Sequence, residues 1–234
     1  MDKYIIENEE IFLKSELKGY PYKVAEDKFD HSGKPLPFPG CSIICKIPIQ
    51  SDLFYELKSL QSKYKKLSPE KAYTYLPETS FHMTLFDCCN ENTVNTQYWP
   101  KNIEPDNNYK KIAYALSKRI KKYIFPEKFD LKVKTLFGGY SIILEGNTEK
   151  DEKIIRECRN KLSDLLGIRF ENHDTYIFHI TLAYILRKLK DNEIEKIIKT
   201  NSRLLEGFVQ KFPLIRVEKP VLCTFENMYE FKST

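Results

Sequence analysis

Apolar residues recur along this chain with two alternating periods. Short stretches place them at every second position and predict strands, whereas longer ones place them at every third or fourth and predict amphipathic helices. Up to about residue 30 the chain is charged and tyrosine-rich, with a short helix through Ile11, Phe12 and Leu17 before Gly19 and a turn over 28–33. Pro35, Pro37 and Pro39 then hold the backbone extended into a strand over 42–47, stopped by Pro48. Ser51 caps a helix carrying Leu53, Leu57, Leu60, Tyr64 and Leu67 on one face. Next come a strand over 81–86, an Asn-rich loop, and a second helix built on Tyr109, Ile112, Ala113, Leu116 and Ile120. Phe129, Leu131 and Val133 alternate with charged residues, and Gly138-Gly139 turns the chain into 140–145, which predicts a hairpin. A third helix, stopped by Gly167, is followed by a strand over 178–185 and a fourth helix over 191–207. The pattern closes with a terminal antiparallel pair, 212–217 against 221–225, interrupted by Pro220.

The succession strand, helix, strand occurs twice, over about 40–86 and 140–185. It predicts two similar lobes within a single unit spanning 1–234, with 1–28 as an N-terminal extension. Each copy ends on nearly the same pentapeptide, Phe81-His82-Met83-Thr84-Leu85 and Phe178-His179-Ile180-Thr181-Leu182. Strand alternation puts His82 and Thr84 on one face and the three apolar residues on the other, and the second copy repeats the arrangement with His179 and Thr181. The chain has four histidines, so two of them sharing this context points to a common origin or a common task.

Composition narrows the picture. A hydrophobic fraction of 41% with 30% charged residues suits a globular protein that packs a core without staples, and no apolar run is long enough for a membrane span. The start, Met1-Asp2-Lys3-Tyr4, lacks a secretory leader, so the protein is read as non-secreted and cytoplasmic. Six cysteines lie on strand-like or helix-like apolar faces and are expected as reduced core thiols, and no Cys-x-x-Cys suggests a metal site. The net charge of +5 favours an anionic substrate without implying a surface that coats DNA. Nothing in the chain calls for a cofactor, an obligate protein partner or an oligomer.

Two histidines converging on one anionic centre form an acid–base pair near neutral pH, since imidazole can take or give a proton there. The threonine two residues on points the same way and offers a hydroxyl to a phosphate oxygen. This logic needs no metal. At these residues the chain resembles the 2H phosphoesterase superfamily, defined by two His-x-Thr/Ser motifs, and Pro37-Phe38-Pro39-Gly40 and Trp99-Pro100 extend the likeness towards a bacterial-type branch. The resemblance implies an α+β, bilobal, duplicated fold with two antiparallel sheets facing a central cleft and helices packed outside. It also implies catalysis by His82 and His179, with phosphate held by Thr84 and Thr181. The implied reaction is metal-independent cleavage of a cyclic or 2′,5′ phosphodiester of a nucleotide or RNA end; RNA ligation with the same residues and non-catalytic nucleotide binding are the alternatives. Many relatives carry an Arg where this chain has Tyr184, so Tyr184 and Trp99 are the candidate surfaces for a base. His31 and His173 lack the Thr and receive no role.

Overall fold

The computed structural model describes residues 8–16 and 21–234. In chain order these form α1 (Glu9–Lys14), α2 (Pro21–Ala25), β1 (Gly40–Lys46), α3 (Asp52–Leu67), β2 (Tyr73–Tyr75), β3 (His82–Asn90) and α4 (Tyr109–Ile120). There follow β4 (Lys128–Phe137), β5 (Ser141–Gly146), α5 (Glu149–Leu166), β6 (Phe178–Thr181), β7 (Ala183–Ile185), α6 (Asp191–Lys211), β8 (Ile215–Glu218), β9 (Val221–Phe225) and β10 (Lys232–Ser233). The expected helix through Ile11, Phe12 and Leu17 lies partly outside the described residues. What is described of it is α1, whose Phe12 and Leu13 are buried.

Local chemistry fixes the long helices. The Ser51 hydroxyl accepts from the Phe54 amide at 3.1 Å at the start of α3. Thr148 and Asp151 form a reciprocal capping box on α5, and Gly167 ends that helix in the left-handed region at φ 68°. Each such N-cap stabilises its helix by about 0.5–2 kcal/mol. The inward faces of α3, α4 and α5 (Leu57, Leu60, Ile112, Leu116, Cys158 and Leu162 among them) pack with Met83, Leu85, Phe178 and Ile180 in the main core. All six cysteines are buried free thiols within these elements, as small apolar residues on core faces should be. Among the described residues no helix is long and apolar enough to cross a membrane.

The sheet differs from the expected pair. Eight strands form one curled antiparallel sheet in the order β10-β9-β1-β3-β6-β5-β4-β8, and β2 and β7 make a separate ribbon. The continuity rests on one registered pair, Met83 with Ile180, between β3 and β6. The two pentapeptides therefore lie side by side in one sheet instead of facing each other from two. The strand expected over 178–185 breaks at Leu182 because the chain changes partner there: β6 pairs with β5, while β7 pairs with β2.

The terminal pair is also corrected. β8 pairs with β4 and β9 with β1, so the two stretches do not bond to each other. With only Lys219 and Pro220 between them, the chain steps from one end of the curled sheet to the far side of β1. Both strands form, the first only from Ile215 because α6 runs on to Lys211 and Phe212 closes it; the apolar alternation carries no information about which edge each would find.

Candidate active site

Antiparallel register about Met83 and Ile180 sets His82 opposite Thr181 and Thr84 opposite His179, on the face away from the main core. All four are half-buried, while the alternating residues Phe81, Met83, Leu85, Phe178, Ile180 and Leu182 are at most 3% exposed. Two imidazoles and two hydroxyls thus occupy a two-by-two grid of cross-strand neighbours, where facing Cβ atoms stand roughly 4.5–5.5 Å apart. The flanking strands repeat the arrangement. Lys46 pairs with His82 and Ile44 with Thr84 on β1, and Ile143 pairs with His179 and Ser141 with Thr181 on β5.

The two rings are also held alike. His82 Nδ1 lies 2.7 Å from the carbonyl of Ser80, and His179 Nδ1 lies 2.8 Å from the carbonyl of Ile177. A carbonyl only accepts, so each Nδ1 carries the proton and each neutral ring presents Nε2 as its open, basic nitrogen. Burial, the largest cause, pulls His82 down to about 4 despite the Ser80 carbonyl, and the proximity of His179 adds to the effect. Burial likewise lowers His179, partly opposed by the Ile177 carbonyl and by Asp87. Both imidazoles are therefore neutral at neutral pH in the free protein, and an arriving anion is what would bring a proton onto one of them.

Beyond Met83 and Ile180 the strands β3 and β6 part, and side chains from the helices satisfy the carbonyls left behind. Arg159 of α5, 3% exposed, donates through Nη1 to the Leu85 carbonyl, and its guanidinium lies 3.9 Å from the Tyr176 ring centre. Gln61 of α3, 1% exposed, donates to the carbonyls of Leu182 and Leu76, each at 2.9 Å. Each helix thus braces the leucine that closes the other half's pentapeptide. Tyr176 adds a long contact, 3.5 Å, from its hydroxyl to the Thr84 carbonyl.

The two sides of the grid differ. Phe231 packs on His82 with ring centres 4.2 Å apart, and the Lys46 ammonium donates to the Ser233 hydroxyl at 2.9 Å, so the segment at 231–233 walls the His82 side. Towards the His179 side a groove of about 530 Å³ opens, lined by the basic residues Lys132, Lys134 and Arg156 and by the carboxylate residues Glu145, Glu152 and Asp174 among others. Its edge includes the strand partner of His179 and the residue whose carbonyl holds that ring.

Of the two candidate base surfaces, Trp99 is corrected to a core residue. It is 8% exposed, packs in the main cluster and gives its indole N–H to the Ile103 carbonyl at 2.7 Å, which leaves no face for a ligand. Tyr184 is half-buried, packs on Phe29 at 5.0 Å between ring centres and lies under the Lys28 ammonium at 5.2 Å. His173 is buried with Nε2 2.9 Å from the Asn160 side-chain oxygen, and His31 is exposed, so neither joins the site. Sequence reasoning missed Arg159, Gln61, Tyr176, Phe231 and Lys28. A Gln and an Arg on the apolar faces of α3 and α5 were the one signal available, since buried polar groups there require partners.

A curled antiparallel sheet backed by helices, with two His-x-Thr strands side by side at its centre, is an α+β framework suited to acid–base chemistry on an anion. Residues 28–139 match the model of the family described as 2H-phosphodiest, a domain of unknown function (DUF1868). That match contains the first pentapeptide, bears out the resemblance to the 2H phosphoesterases and supports a phosphoesterase-like function. No curated protein matches the chain. Among solved structures, a conserved protein of unknown function from Agrobacterium tumefaciens str. C58 shares the fold: the TM-score is 0.87 at 24% identity, over 95% of this chain and 96% of that one.

Proposed function

We propose that this protein is a phosphodiesterase in which His82 and His179 act as an acid–base pair on a cyclic or 2′,5′ phosphodiester of a nucleotide or RNA end. The observation that carries the reading is the grid itself: two imidazoles with Nδ1 fixed by backbone carbonyls, two threonines of matching orientation, and all four half-buried on one face. One neutral imidazole takes a proton from water as its oxygen bonds to phosphorus. The other, protonated, gives its proton to the ribose oxygen as the old P–O bond breaks. Thr84 and Thr181 donate to the non-bridging oxygens, whose charge grows in the transition state. After product leaves, exchange with solvent returns both rings to their starting states.

Substituting a hydroxyl of a second RNA end for water converts the same steps into ligation, and the groove towards the His179 side offers room for such an acceptor. Incubation with 2′,3′-cyclic mononucleotides, 2′,5′-linked oligoadenylates, cyclic dinucleotides and paired RNA ends, read by mass spectrometry, separates the two outcomes. Absence of turnover on every one of these phosphodiesters, by protein shown to be folded, would leave the nucleotide-binding alternative standing and remove the enzymatic one.

A further inference from the structure

The threonines are neutral donors, yet the proposed substrate is an anion entering a face whose histidines are uncharged in the free protein. A fixed cation is needed there to offset desolvation of the phosphate. Besides Lys132 and Lys134, which pair with Glu145, and Arg156, which pairs with Glu152, three basic side chains are close by. Arg159 lies behind the seam, occupied by the Leu85 carbonyl and by the Tyr176 ring. Lys46 is exposed and bonded to Ser233. Lys28 differs from both: it is half-buried, and among the described residues it has no carboxylate partner.

Two aromatic rings position Lys28. Its ammonium lies 5.3 Å from the Phe38 ring centre and 5.2 Å from that of Tyr184. Such contacts restrict the side chain without neutralising its charge. Tyr184 belongs to β7, which continues the His179 strand after the break at Leu182. The charge of Lys28 is near enough to contribute to the depression of His179, after burial and the other groups around that ring. A hollow of about 520 Å³ opens beside Lys28, lined also by Phe38, Lys23 and the carboxylate residues Glu16, Glu26 and Asp27.

We propose that Lys28, held between Phe38 and Tyr184, is the cationic phosphate-binding residue of the site. This rests on the paired-histidine reading above and adds the group that binds the anion electrostatically. It also gives Tyr184 a task, as the platform for the cation.

The test uses inorganic phosphate as the probe and the imidazole Cε1–H signals of His82 and His179 as the readout, assigned from single-histidine variants. In the unmodified protein, phosphate should shift both signals. Lys28→Met keeps the length and apolar contacts of the side chain and should weaken phosphate at least about tenfold, the equivalent of one charge-assisted hydrogen bond at a half-buried position. Lys28→Arg should restore binding to within about threefold, and the salt dependence of binding should flatten in Lys28→Met alone. Lys46→Met should weaken binding less than Lys28→Met. If Lys28→Met, with an unchanged melting temperature, binds phosphate as the unmodified protein does while the histidine signals still respond, Lys28 is excluded and the paired-histidine site stands. If phosphate moves neither histidine signal in the unmodified protein, the paired-histidine reading fails and the role of Lys28 fails with it.

Discussion

Two half-buried groups on this molecule titrate in opposite senses, and substituting each in turn should reveal it. His82 is lowered from 6.5 to about 4 and Glu9 is raised from 4.5 to about 7, each chiefly by burial. Between about pH 4 and 6.5 the unfolded chain binds a proton at His82 that the folded protein refuses, so stability is lost as the pH falls through that window. Glu9 behaves in reverse: between about pH 4.5 and 7 the folded protein holds a proton that the unfolded chain has released, so the cost of ionising Glu9 in the fold disappears as the pH falls. From about pH 7.5 to about pH 5 each effect amounts to roughly 2 kcal/mol, with opposite sign.

Urea unfolding at those two pH values, analysed by linear extrapolation, measures the difference directly. Relative to the unmodified protein, His82→Gln should gain about 2 kcal/mol on acidification and Glu9→Gln should lose about 2 kcal/mol. Changes below about 0.5 kcal/mol in both variants, at unchanged m-values, would refute the argument that burial dominates at these positions. For His82 the stakes are functional, because the same depression keeps its imidazole neutral in the free protein.

Three other outcomes follow from the site. His82→Ala and His179→Ala should each lower turnover by about 10²–10⁴-fold, with the double variant losing far less than the product, and either single variant retaining full rate while folded would refute the pairing. The optimum of kcat should lie at higher pH than that of kcat/KM, because bound phosphate favours the imidazolium that the free protein disfavours; coincident profiles would contradict this. Gln61→Leu leaves the Leu76 carbonyl without its donor and the Leu182 carbonyl with the Leu76 amide alone, which should destabilise the fold by about 1–3 kcal/mol, measured by urea unfolding, and no loss would show that the brace is idle.

The histidine–threonine faces were legible because strand alternation is local: five residues suffice to show that His82 and Thr84 share a side. The same holds for α3 to α6, where apolar spacing and capping residues mark the elements, although α6 runs through Gly207 to Lys211 because tertiary contacts outweigh one glycine. Register was not legible. Nothing local says that Met83 meets Ile180, that β9 finds β1 in place of β8, or that Leu182 leaves the sheet for the ribbon. Phe231 reaches His82, and Lys28 reaches Tyr184, through contacts that no periodicity encodes. Trp99 misled because an aromatic next to a proline in a polar loop looks available, whereas here its ring is packed and its N–H bonded within the loop.

The step across Lys219 and Pro220 bears on how the protein is made. Strand β1 lies between β3 and β9, so while the chain is being synthesised it waits as an open edge until residues 221–225 emerge. Unpaired edges of this kind recruit other strands, and a growing chain on the ribosome is exposed to that hazard for as long as the gap persists. The wall over His82 arrives later still, with Phe231. Folding of this face therefore trails synthesis of its motifs: a nascent chain that already carries both pentapeptides still lacks the strand that pairs with β1 and the aromatic ring that packs on His82.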